Sequence, residues 1–135
     1  MFFSISLKWY TGSVERYFTI ESATHALAIV RPILTDLVVK VQRLESLSKD
    51  EQAEQSEETQ KLCKEIEYHV HELETVGVVL KDAKLGLVDF PCMHENRLVY
   101  LCWMLGEAEV SFWHEVKQGF TQRKRIDARF KVAVV

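Results

Sequence analysis

The chain has 135 residues, 47% of them hydrophobic and 27% charged, a size and balance that suit one domain with one core. Its net charge of -3 offers no general basic surface, which argues against nucleic-acid binding. Three cysteines without a pairing pattern point to reduced thiols in a cytoplasmic protein, and no apolar run reads as long enough to span a membrane.

Residues 1–14 read as an N-terminal extension. The stretch MFFSISLKWY is apolar with one lysine and lacks the charged start and small-residue cleavage pattern of a secretory signal. A strand, a disordered segment and an artefact of start-site choice are all consistent with it. A single α+β domain is assigned to residues 15–123. Thr19 is a good N-cap for a first helix, and Glu21 sits in the first turn, where the helix dipole favours a negative charge. Leu27, Val30, Leu34, Leu37, Val41 and Leu44 follow a 3-4-3-4-3 spacing, and Ile29, Ile33 and Val38 widen that stripe. Pro32 removes a backbone donor and predicts a kink near Ala28 to Arg31, or a restart of the helix.

Ser48 to Gln60 (SKDEQAEQSEETQ) is polar and acidic, as a solvated connection would be. A second helix is predicted from Glu57 to Thr75, with Leu62, Ile66, Val70 and Leu73 as its stripe, His69 beside it and Gly77 as its stop. Two long helices joined in this way make an antiparallel hairpin. After Gly77 the period changes. Val78-Val79-Leu80 is a short extended run before a polar turn, Lys81 to Lys84. Leu87 to Phe90 and Leu98 to Trp103 read as strands around a connection from Pro91 to Asn96. Alternation sets Leu98, Tyr100 and Cys102 on one face, and Val99, Leu101 and Trp103 on the other. Both faces are apolar, so both should be buried. The helical hairpin covers one of them. The other needs the C-terminal segment or a second copy, so a homo-oligomer is expected, a dimer first. Glu107 to Val116 fits two periods. As a helix, Glu107, Val110, Ser111 and His114 share a face; as a strand, Val110, Phe112 and His114 do. The helix, ending before Gly119, is the expectation. Residues 124–135 form a basic, then apolar, tail, either partly disordered or closing as an edge strand.

Asp89 lies between Val88 and Phe90, and a carboxylate in a buried strand needs a cation or a hydrogen-bond donor. Arg97, Lys81 and Arg16 are its candidate partners. A structural ion pair competes here with a general acid/base or a metal ligand. Asp89, Glu107 and His114 together make a carboxylate–imidazole set suited to a divalent metal or to catalysis. Cys92, His94, Cys102 and His114 invite a zinc reading by residue type. Their spacing is not that of a zinc finger or ribbon, and Cys102 sits within an apolar strand pattern. Arg97, Trp103, Trp113 and Arg123 are candidates for binding a small anionic ligand. No glycine-rich phosphate loop and no nucleophile elbow is present.

The stretches Arg16-Tyr17-Phe18-Thr19, Leu80-Lys81-Asp82, Gly86 to Pro91 (GLVDFP), Val99 to Trp103 (VYLCW), Leu105-Gly106-Glu107, Trp113-His114-Glu115 and Gly119-Phe120 carry a family resemblance. Together they make the chain resemble the uncharacterised bacterial domain of unknown function 2203 family from about Arg16 to Arg123. The resemblance implies a small bacterial cytoplasmic protein with no established activity. It implies that Asp89, Trp103, Glu107 and His114 form a recurring set, without giving them roles. Ser22 departs from the acidic residue usual there, which would complete a capping box with Thr19. Gln122 replaces a usual glycine, Cys92 and His94 fall in a variable hairpin, and the segment before Val14 lies outside the resemblance.

The fold expected is α+β: a long antiparallel two-helix hairpin packed on a small antiparallel β-sheet, with a short C-terminal helix or strand. Three functional readings remain. The first is an oligomeric interaction or scaffold protein. The second is a metal-dependent enzyme, a hydrolase for example, using Asp89, Glu107 and His114. The third is a small anionic-ligand binding module.

Overall fold

The computed structural model of the chain describes residues 16–133. The expected extension at 1–14 lies outside the described residues. Two long helices, α1 (Ile20–Leu47) and α2 (Glu57–Val76), pack on a five-stranded antiparallel sheet in the order β1-β2-β3-β4-β5. The strands are β1 (Val79–Asp82), β2 (Leu87–His94), β3 (Arg97–Met104), β4 (Phe112–Glu115) and β5 (Lys124–Arg125). A short helix, α3 (Ala128–Ala133), follows. This is the α+β layout that the sequence predicts.

The helix ends follow local chemistry. The Thr19 side chain accepts from the Ser22 amide, and the Ser22 hydroxyl accepts from the Thr19 amide. Ser22 thus completes the capping box that its departure from an acidic residue was expected to leave open. Gly77 closes α2 in a left-handed conformation at φ 103°, which costs a residue without a Cβ little. α1 continues through Pro32 as one helix, so the expected restart does not occur. Pro32 and Ala28 are both exposed, and water can satisfy the carbonyl that loses its helical partner. By length and composition α1 is apolar enough to cross a membrane, contrary to the sequence expectation. Its buried stripe of Ala23, Leu27, Val30, Leu34 and Leu37 gives it instead the packing of a core helix.

That stripe meets Ile66, Val70 and Leu73 of α2, and Val88, Phe90, Cys92, Val99, Leu101 and Trp103 of the sheet. A polar clasp sets the two helices relative to each other. The Lys40 ammonium lies 2.8 Å from His69 Nε2, and His69 Nδ1 lies 2.7 Å from Glu72. The ammonium can only donate, so Nε2 accepts and Nδ1 carries the ring proton.

The strands run longer than their residue pattern suggests. β1 takes in Lys81 and Asp82, and β2 extends through Pro91 to His94. Pro91 is tolerated because β1 begins opposite Asp89, leaving Pro91 on an edge where its carbonyl accepts from the Phe18 amide at 2.6 Å. The β2–β3 turn is Glu95–Asn96, both with positive φ (51° and 63°), a two-residue connection whose twist matches the flanking strands. Residues 107–111 form no helix, and Phe112–Glu115 is a strand paired with Val99 to Cys102. The helical period fits the same residues, but the register with β3 decides. The expected tail is also corrected. Lys124 and Arg125 add the fifth strand, the Ile126 amide donates to the Ser111 carbonyl, and Phe130 enters the core, so the domain continues past 123.

Both faces of β3 are buried within the single chain, Tyr100 and Cys102 on one side and Val99, Leu101 and Trp103 on the other. The uncovered face that motivated a second copy is therefore absent.

Candidate metal centre

The antiparallel register brings three potential ligands together in the middle of the sheet. A hairpin turning at Glu95–Asn96 places Asp89 opposite Cys102, and the pairing of β3 with β4 places Tyr100 opposite His114. Asp89, Cys102 and His114 therefore share the face turned away from the α1–α2 core. Their ligating atoms all lie within 4.8 Å of one another, and all three residues are buried. His114 Nε2 is 2.9 Å from Asp89 Oδ2. His114 Nδ1 is 2.8 Å from the Glu115 carbonyl, which can only accept, so Nδ1 carries a proton. The second carboxylate oxygen of Asp89, Oδ1, is buried without a hydrogen bond among the described residues.

The partner of Asp89 in this geometry is His114, not Arg97 or Arg16. Arg97 forks onto Glu115 at 2.9 and 2.6 Å and also reaches Glu95. Arg16 donates to the Val76 carbonyl. Burial lowers the His114 pKa, but the hydrogen bond and charge of Asp89, with the Glu115 carbonyl, outweigh it, and the net shift is upward. Burial pushes the Cys102 thiol up to about 12, with the Asp89 charge adding to it, and pushes Cys92 up to about 11. Cys63 alone among the three cysteines is exposed. One thiol should therefore react with a water-soluble disulfide reagent in the native protein at neutral pH, and three after unfolding. Rapid labelling of two or more native thiols would contradict this burial.

Glu107 does not join the cluster. Its carboxylate accepts two hydrogen bonds from Arg123, at 3.1 and 2.6 Å, and Oε1 also accepts from the Met104 amide at 2.8 Å. Its own carbonyl accepts from the Trp103 indole at 3.2 Å. The Arg123 guanidinium lies over Phe112 (3.9 Å) and Phe120 (4.3 Å), and its Nη1 is 3.9 Å from Cys102 Sγ. The ion pair thus flanks the cluster on the thiol side.

The four candidate ligand-binding residues separate. Trp103 is core, with Arg31 over its ring at 5.5 Å, and Arg123 belongs to the Glu107 pair. Arg97 and Trp113 line one cavity at the far end of the sheet. Sequence reasoning set Cys102 aside because its apolar setting is that of an ordinary core thiol. The signal that recovers it is the two-residue turn at Glu95–Asn96, which fixes the partner of Asp89. Without a glycine, that turn is hard to read.

As a donor set, one thiol, one imidazole and one carboxylate suit a borderline-soft divalent ion such as zinc. Ligands at about 2.0–2.3 Å from a tetrahedral ion sit about 3.3–3.8 Å apart, within reach of small side-chain shifts from these positions. The Nδ1–H to carbonyl hydrogen bond is the outer contact that orients metal-binding histidines. An ionised thiol and carboxylate together cancel a double positive charge, which lessens the cost of burying it.

No curated protein and no solved structure matches the chain. A family model described as an uncharacterised conserved protein, DUF2203, matches residues 16–126, which include all three cluster residues and the Glu107–Arg123 pair. The chain belongs to the domain of unknown function 2203 family.

Proposed function

We propose that this protein is a metalloprotein that holds one divalent transition-metal ion, zinc first, on Asp89, Cys102 and His114. The observation that carries this reading is the buried triad of ligating atoms within 4.8 Å, with Asp89 Oδ1 lacking a hydrogen bond among the described residues. An ion held by these three side chains would supply an activated water, so hydrolysis is the reaction class proposed. Binding would displace one proton from the Cys102 thiol and one from His114 Nε2, which faces the Asp89 carboxylate, while Nδ1 would keep its proton on the Glu115 carbonyl. In this reading Glu107 is no ligand. It holds Arg123 beside the thiol, where the guanidinium can stabilise negative charge.

The test is elemental analysis of protein purified without chelators or a histidine tag, alongside Cys102→Ser and His114→Ala. The expected result is near-stoichiometric metal in the wild type, with less than about a tenth of it in His114→Ala. A wild type free of metal after growth in supplemented medium, or metal retained by both variants, would refute the centre.

A second reading is the self-associating scaffold. It is favoured by Ile29, Val39 and Tyr68 on the hairpin, which are 56%, 61% and 62% exposed. It expects sedimentation as a dimer, and a monomer after Ile29→Glu/Val39→Glu; a monomeric wild type at high concentration refutes it. A bacterial cytoplasmic setting, where unpaired thiols persist, accords with either reading.

A further inference from the structure

On the face of β4 opposite His114, a cavity of about 350 Å³ opens between the β2–β3 turn, β4, β5 and α3. Its charged walls are Arg97, Lys124, Arg125 and Arg129, against Glu95 and Asp127. Counting Glu115, onto which Arg97 forks, four cations less three carboxylates leave +1, in a chain whose net charge is -3. The positive charge is therefore concentrated here against the sign of the whole protein. Both carboxylates of the walls are engaged: Glu95 with Arg97 at 3.0 Å, and Asp127 with the Phe130 amide at 3.0 Å. Lys124 Nζ lies 5.1 Å over the Trp113 ring.

The cavity has a fixed aromatic wall. The Phe130 ring stacks on His94 at 3.9 Å and 12°, and both rings lie against Trp113, at 5.0 and 5.4 Å. His94 is 4% exposed, and its Nδ1 has no hydrogen-bond partner among the described residues. A wall of packed rings and a convergent set of guanidinium and ammonium groups together describe a site suited to an anion.

We propose that this cavity binds a small phosphomonoester, with the phosphate between Arg125, Arg129 and Lys124. Lys124, Arg125 and Arg129 supply three cations besides the paired Arg97, which suits a dianion. The planar forks of two arginines suit phosphate oxygens, and Arg97 is already committed to protein carboxylates. The volume leaves room for a short organic group beside the phosphate. Trp113 and Lys124 set the site across the sheet from the metal centre, and Arg125, whose guanidinium is also 5.7 Å from the Phe112 ring, reaches it from the edge strand; the proposal does not depend on that centre.

The test is titration of the full chain at low ionic strength with glycerol phosphate, a monoester dianion, and with glycerophosphocholine, a diester monoanion. Binding is read by calorimetry and by the Trp113 indole resonance. The expected result is saturable binding of the monoester with a shift of that resonance and at least about tenfold weaker binding of the diester. Arg125→Gln/Arg129→Gln should weaken monoester binding by at least about tenfold, and Lys117→Gln, outside the cavity, should leave it unchanged. Both arginines are exposed, so the double variant should fold, and an unchanged melting temperature checks this. No saturable binding of the monoester, or affinity equal in the wild type and a folded double variant, overturns the proposal.

Discussion

Replacing His114 with Leu should destabilise the metal-free protein by about 3–5 kcal/mol, a large fraction of the total stability of a domain this size. The loss comes from Asp89, which is 1% exposed, with Oδ2 paired with His114 and Oδ1 without a hydrogen bond among the described residues. The His114→Leu variant leaves a buried carboxylate without its hydrogen-bonded partner. Asp89→Ala should cost less, because an imidazole without its partner can remain neutral at pH 7. The double variant Asp89→Ala/His114→Leu should be more stable than His114→Leu alone, since it buries no lone charge. Denaturant unfolding of the four proteins forms the cycle. Strictly additive losses would show that the two side chains do not act as a pair.

The same pair sets a pH dependence. The folded-state pKa of His114 is raised. Its contribution is therefore fully present below the unfolded value of about 6.5 and is lost as pH rises through the folded value. The metal-free wild type should lose stability over that window, and His114→Gln should lose much less. A variant with the wild-type slope would assign the titration to another group.

Arg123→Ala should cost about 2–4 kcal/mol, and Arg123→Lys should recover only part of it. Arg123 makes a two-pronged pair with Glu107 while its guanidinium plane lies over Phe112 and Phe120. An ammonium keeps the charge but neither the fork nor the flat face. Its loss also leaves the Glu107 carboxylate, largely sheltered from water, with only the Met104 amide as donor. The pair ties the segment before β5 to the loop after β3. Hydrogen exchange should therefore speed up most at Ile126, whose amide bonds to Ser111. A fully stable Arg123→Lys protein would reduce the contact to simple charge attraction.

The parts legible from sequence are those whose chemistry is local. Thr19 caps α1, Gly77 stops α2, and the stripes from Leu27 and from Leu62 bury one side of each helix, because helical neighbours lie three or four residues apart. Alternation from Leu98 to Trp103 likewise gave both buried faces of β3, since side chains there alternate regardless of partner. What the tertiary structure decided is everything that depends on register. Phe112–Glu115 is too short for its period to separate helix from strand, and pairing with β3 settles it. Glu107 looks equivalent to His114 as a ligand in sequence, yet it turns to Arg123, while Cys102 lies across from Asp89. Which side chains meet across strands depends on where each turn falls, and a shift of one residue would move every one of them to the opposite face.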